Sequence, residues 1–369
     1  MLSALTLTTA VDIEGIARVE VDSLSTQTKL EILVSEISQS RNYFQDENLD
    51  FKPYPKWEGV VCDDDGDVTV IKWNEMFKAG GGRILLDFLP HAVKIVRICE
   101  NALSGVLNMQ NLPRHLTEFK AAKNELGGTV NLRALPPQLR QLNLAVNHLT
   151  GLVELSAIPD TLVSLVLNRN SIYGAADLTR LPKTLQKLYL SWNELTGPLR
   201  LDRLSARFTE ISIQENRLSG QLDLSTFPDS TININLCKNR MCGSIDFRSL
   251  FASLRRLSLA GNSFEGTVDL TALPASIMHI DLSENSLNGS LNFSEIPSAL
   301  RWVDLSHNKF SGQLDLRGIS PAFIKLNLRH NLFQGSAQMS PEVHAKGRVQ
   351  LEGNLELQVS AVEERCVVF

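Results

Sequence analysis

The chain has 369 residues, 43% hydrophobic and 21% charged, with a formal net charge of -5. That is longer than one ordinary core grows, balanced like a soluble folded protein, and without the basic excess that nucleic acid demands. Its five cysteines (Cys62, Cys99, Cys237, Cys242, Cys366) are odd in number and sparse, which excludes the dense disulfide framework of a small secreted domain.

Residues 1–24 alternate valines, isoleucines and acids and give no assignable element. The start, MLSALTLTTAV, has no basic leader and no long apolar core, so it reads poorly as a signal peptide. No run reaches the roughly 18 apolar residues of a membrane span. The expected home is therefore the cytoplasm. Thr28 and Glu31 have capping-box spacing, and Leu30, Leu33 and Ile37 share a helical face, which predicts a helix over about 28–42. Next comes Asp63-Asp64-Asp65-Gly66-Asp67. A calcium loop starting at Asp63 would need glycine where Val68 stands, so an Asp-Gly hairpin turn is the better reading. Gly80-Gly81-Gly82 precedes a predicted strand and reads as a loop, not a phosphate cradle.

From residue 79 a single period governs the chain. Asn101, Asn124, Asn147, Asn170, Asn193, Asn216, Asn239, Asn262, Asn285, Asn308, Asn331 and Asn354 are spaced 23 residues apart without interruption. Eleven of the twelve have glycine four residues later, and proline stands eleven residues before eight of them. The unit reads LxxLxLxxNxLxGxLDLxxLPxx, well shown by Leu254–Pro274. Its LxL pair has period 2, so Leu257 and Leu259 point inward from a short strand. The asparagine ends that strand, where its amide is expected to bond the backbone of the turn; stacked, the twelve predict a ladder. Glycine permits a tight bend. Leu222-Asp223-Leu224 marks a second, outer strand, and the recurrent Asp223, Asp246, Asp269 and Asp315 there are expected to bond backbone or nearby cations. Towards the end the consensus decays: Lys346 and Glu356 replace apolar positions and Gln358 replaces the glycine, as in a polar terminal cap. These readings give a cap over 1–78, a solenoid of about twelve rungs over 79–354, and a terminal cap and tail over 355–369.

This unit resembles the leucine-rich-repeat consensus, over Trp57 to about Asn354. Its L-x-G-x-L-x-L segment is most similar to the plant-receptor class and to 23-residue repeats of protists. Trp57, Gly59, Val60 and Cys62, followed by Gly66, Val68, Thr69, Ile71 and Trp73, resemble the plant-type N-terminal cap. Secreted relatives pair that cysteine with one just upstream, and this chain has none before Cys62. The resemblance implies an α/β-type repeat solenoid: a leucine-rich-repeat superhelix with a concave parallel sheet, short convex strands and an N-terminal helical cap.

The same register sorts the concave residues into columns about 4.8 Å apart. Counting back from each asparagine, one column reads His279, Trp302, Lys325; the next Asp281, Asp304, Asn327; the third Ser283, Ser306, Arg329; the last Glu284, His307, His330. A second patch holds Lys187, Tyr189, Trp192 and Arg169. Exposed Trp, Tyr and Arg dominate binding hot spots, so both patches are candidate contact surfaces for a protein or peptide. The alternative is a row of solvated polar residues without a role. Asp281 beside Asp304 has the composition of a paired-carboxylate acid/base site, but an open sheet is expected to leave both solvated. No HExxH, GxSxG or phosphate-loop motif occurs. The expectation is a binding scaffold in signalling, not an enzyme, with no cofactor or metal. Cys237 and Cys242 read as free thiols more simply than as a redox pair or half a metal site, because nothing completes four ligands; Cys237 is expected to face solvent and Cys242 to lie in the following turn.

The chain ends Cys366-Val367-Val368-Phe369, the pattern of a prenylation box whose terminal Phe favours geranylgeranyl. A lipid on Cys366 would be its one route to a membrane. A hydrophobic tail packing on the cap, or a C-terminus captured by a partner, are the competing readings. A cell-surface or secreted recognition module is the alternative placement, in which the sequons at Asn288 and Asn292 would carry glycans.

Overall fold

The computed structural model describes residues 21–361 apart from positions 22, 79, 203 and 321. Cys366 and the tail lie outside the described residues. Two fourteen-stranded sheets run the length of the molecule, and each rung contributes one strand to each. Short three-residue inner strands, such as Arg256–Ser258 and His279–Asp281, pair in parallel at a constant register. Outer strands, such as Ser263–Thr267 and Ser286–Gly289, also pair in parallel on the opposite face, but with a two-residue stagger per rung, Glu265 lying beside Ser286. Three-residue 3-10 turns link outer strands to the return loops in most rungs, as at Leu224–Thr226 and Leu270–Ala272.

The core lies between the sheets. Leu257, Leu259, Ile280 and Leu282 are fully buried from the inner side, Phe264, Phe310 and Phe333 from the outer. Each such side chain contributes about 1.5–3 kcal/mol by leaving water. Buried among them stand the asparagine amides. Asn239 donates to the carbonyls of Ile213 (3.0 Å), Leu236 (3.1 Å) and Cys237 (3.2 Å), and its Oδ1 accepts from the Leu218 N–H (3.0 Å). One side chain therefore ties its own rung to the one before and satisfies backbone groups that water cannot reach.

The N-terminal end corrects the sequence reading twice. The helix, α1 (Thr26–Val34), is capped by Ser25, whose hydroxyl accepts from the Thr28 N–H; Thr28 is the third helical residue and not the cap. The predicted helix over 28–42 also stops at Ser35. Glu36–Ile37 then pair antiparallel with Gly82–Arg83, and a second short helix covers Ser40–Phe44. Pairing wins over helical periodicity because Gly82 lets the two backbones meet: a Cβ there would stand 2.5 Å from the Glu36 carbonyl oxygen. Beneath, Phe44 stacks on Trp57 at 4.3 Å, and Trp73 and Phe77 complete an aromatic plug over the first rung. Val60–Cys62 and Val68–Lys72 form the hairpin around Gly66 that starts the inner sheet.

Cys237 and Cys242 sit on opposite faces of the solenoid. Cys242 lies within the outer strand Arg240–Gly243 rather than in a turn. Cys237 is only half-exposed, and burial pushes its thiol up to about 12.

Candidate recognition surface

Parallel pairing places His279 opposite Trp302 and Trp302 opposite Lys325. The His279 and Trp302 rings stack at 4.0 Å with 4° between their planes. From the rung on the other side the Lys325 ammonium lies 5.2 Å from the Trp302 ring centroid. Trp302 therefore has both faces covered by its own column and offers a partner its edge. Burial, reinforced by Arg256, holds the His279 imidazole down at about 4, so the stack is neutral at neutral pH.

The neighbouring column is also internally bonded. Asp304 is only 7% exposed. It accepts from the Ser306 N–H (3.1 Å) and hydroxyl (2.6 Å), from Asn327 Nδ2 (2.8 Å) and from Lys325 Nζ (3.3 Å). The expectation that an open sheet would leave this carboxylate solvated is wrong, because side chains of the next rung lean across it. Asp281 is half-buried and bonded to Ser283; burial raises its pKa. Arg329 makes a two-pronged pair with Glu352 at 2.5 and 3.1 Å. His307 stacks on His330 at 4.3 Å.

The residue preceding each ladder asparagine has a left-handed backbone, including β-branched Val146 (φ 58) and Trp192 (φ 60). Only Gly261 and Gly353 use the residue that suits this conformation. The others hold their side chains out along one ridge of the inner face. Trp192 is its largest member, 42% exposed, with the Arg169 guanidinium 5.0 Å and the Lys238 ammonium 6.0 Å from its ring. Tyr189 is less available than its type suggests: its hydroxyl donates to Glu210, which also pairs with Lys187 at 2.8 Å. Burial and that carboxylate push the phenol well above its ordinary value.

The two patches do not merge. Trp192 and Trp302 belong to rungs five apart, about 24 Å at the spacing of paired strands. Between them the small residues Ser212, Ser258, Ala260 and Gly261 lie low on the inner face, beside the longer Gln214, Glu215, Lys238 and Arg256. Two features went unread in the sequence though their columns were available. Glu118 joins Arg97 (2.6 and 2.9 Å) and Lys120 (2.9 Å) at the N-terminal end. Arg255 and Arg256 stand at the edge of the floor with no ion pair among the described residues.

No protein-family model matches the chain, and no curated protein matches it. Solved structures do. A complex of PEPR1 with AtPEP1 superposes with TM-score 0.67 at 22% identity, over 90% of this chain and 52% of that one. The Arabidopsis receptor kinase HAESA, with the peptide hormone IDA and the co-receptor SERK1, gives 0.56 at 23%, over 74% and 52%. YopM from Yersinia enterocolitica gives 0.51 at 20%, over 74% and 60%. The chain thus spans about half the length of the first two. These likenesses establish the leucine-rich-repeat fold.

Proposed function

We propose that this chain is a non-catalytic scaffold whose inner sheet binds a protein or peptide, along the low floor between the Trp192 ridge and the His279–Trp302–Lys325 column. The observation that carries the reading is the pre-arrangement of that column: Asp304 fixes Lys325 and Asn327, and His279 and Lys325 fix Trp302, so little side-chain entropy remains to be lost on contact. An extended segment bridging the two aromatic walls would need about seven residues at 3.3 Å each. The superposed HAESA structure, with its peptide hormone IDA, supports this class of partner. Asp281 and Asp304 do not suggest acid/base chemistry, since donors from the protein already occupy Asp304. The test is affinity proteomics from native extract with wild type, Trp192→Ala and Trp302→Ala. A single interactor lost by both variants supports the reading, and an interactor set unchanged by either refutes it.

Placement is part of the proposal. A cytoplasmic form prenylated at Cys366 would end at that residue and carry a C20 lipid. A secreted form would carry glycans at Asn288 or Asn292, both exposed. Among the described residues no helix is long and apolar enough to cross a membrane. Intact mass of the native protein separates the two forms.

A further inference from the structure

Along the inner face several cations are matched by an acid on a neighbouring rung: Lys187 by Glu210, Lys238 by Glu215 and Arg329 by Glu352. The matching lapses at one edge. Arg255 and Arg256 are both exposed and have no ion pair among the described residues. Two rungs further on, Arg301 donates through Nη1 to the carbonyls of Ser298 (2.5 Å) and Leu300 (3.1 Å), which holds its guanidinium in place without neutralising it. Backbone bonds stack these positions in one column. The Met278 N–H donates to the Arg255 carbonyl (2.9 Å), that of Arg301 to Met278 (3.0 Å) and that of Ile324 to Arg301 (2.8 Å). The column therefore reads Arg255, Met278, Arg301, Ile324, cation and apolar side chain in turn, with Met278 45% and Ile324 63% exposed. The inner-strand column beside it reads Arg256, His279, Trp302, Lys325. Neither column holds an acid over these four rungs.

The approach to this edge is low. The turns leading into the strands present Ala252, Ser253, Ala275, Ser276 and Ala299. Ser253 and Ser276 fold back onto carbonyls of the rung before, Thr231 (3.0 Å) and Leu254 (2.6 Å). Asp229 and Glu295, the acids of that flank, make no ion pair among the described residues. An unpaired guanidinium favours a planar anion that accepts two parallel N–H bonds, and a carboxylate is the one an unmodified protein supplies. A nucleic acid suits the edge less well. Asp281 and Glu284 lie just inward on the same rungs and repel a phosphate backbone laid across them, and phosphates would leave Met278 and Ile324 without apolar cover.

Taking inner-face binding as the premise, we propose that the partner presents an extended acidic segment to this edge, with two carboxylates three residues apart on Arg255 and Arg301 and an apolar side chain between them. Arg255 and Arg301 are two strand steps apart, about 9.6 Å. In an extended chain of the polyproline type, residues three apart fall on one side at about 9.3 Å, so both carboxylates reach their guanidiniums without bending the segment. The apolar residue between them packs on Met278, and Ile324 takes the one that follows. Arg256 adds positive potential over the first of these rungs.

Selection of a random-peptide display library on the full chain, followed by titration of the best peptide made synthetically, tests this. Enriched peptides are expected to carry Asp or Glu at two positions three residues apart. Arg255→Glu alters an exposed side chain and is expected to leave the circular dichroism spectrum unchanged while raising the peptide Kd at least about tenfold. Exchanging one peptide acid for Lys, at each position in turn, is expected to weaken binding to wild type and, at one of the two, to restore binding to the Arg255→Glu chain. Enrichment of peptides without acids, absence of that rescue, or displacement of the peptide by an equimolar oligodeoxythymidine would each overturn the assignment. Titrations with Trp192→Ala and Trp302→Ala keep the two readings apart. Peptides weakened by a tryptophan variant and indifferent to Arg255→Glu would overturn the acidic segment and leave inner-face binding standing, while peptides indifferent to all three variants would overturn both.

Discussion

The Trp302 indole lies parallel to the His279 imidazole, 4.0 Å between centroids, with Lys325 on the other face. This packing gives the inner surface a pH response. The His279 value falls from 6.5 to about 4 on folding, chiefly by burial. A depressed pKa means stability that is present above pH 6.5 and lost as pH falls towards 4. His279→Phe keeps a ring for the stack and removes the titration. It should flatten the fall in melting temperature between pH 7 and 4.5 relative to wild type; parallel curves would contradict the burial of His279.

Trp192 and Trp302 should separate binding from stability. Trp192 is the more exposed ring, so Trp192→Ala should leave the unfolding free energy within about 0.5 kcal/mol of wild type and weaken an inner-face partner by about 2 kcal/mol. Trp302→Ala should lower both, because it also strips the cover from His279. Calorimetric titration and thermal melts of the same samples check this.

The ladder amides should dominate over the outer aspartates. Asn239→Ala removes the one amide nitrogen that reaches three backbone carbonyls, and the oxygen that accepts from the Leu218 N–H, and should cost about 1–3 kcal/mol. Asp223 accepts from the Ser225 N–H (2.9 Å) and hydroxyl (2.6 Å) and so caps Leu224–Thr226. Its replacement by Ala should cost about 0.5–1 kcal/mol, more than a bare surface residue would. Denaturant melts with equal midpoints for both variants would contradict this order.

Asp304→Ala should destabilise more than Asp281→Ala. The first leaves Asn327 and Ser306 without their buried acceptor, a loss of about 1–3 kcal/mol. The second removes a half-buried carboxylate bonded to Ser283 alone. Urea unfolding of the two variants measures the difference.

The 23-residue register alone determined the stacking of rungs, the inward leucines and the buried places of the asparagines. Each follows from a local period, and a period survives whatever surrounds it. What the register could not decide were contacts between rungs. Thr28 and Glu31 had the spacing of a capping box, yet Ser25 caps the helix, and strand pairing at Gly82 ended it early. Asp304 looked solvated in its column, and the rotamers of Ser306, Lys325 and Asn327 buried it. Trp302 looked like an open hot spot until His279 and Lys325 covered its faces. Column position fixes where a Cβ starts; which neighbour the side chain then leans on is settled by packing across the 23-residue step, and only the folded solenoid brings those neighbours together.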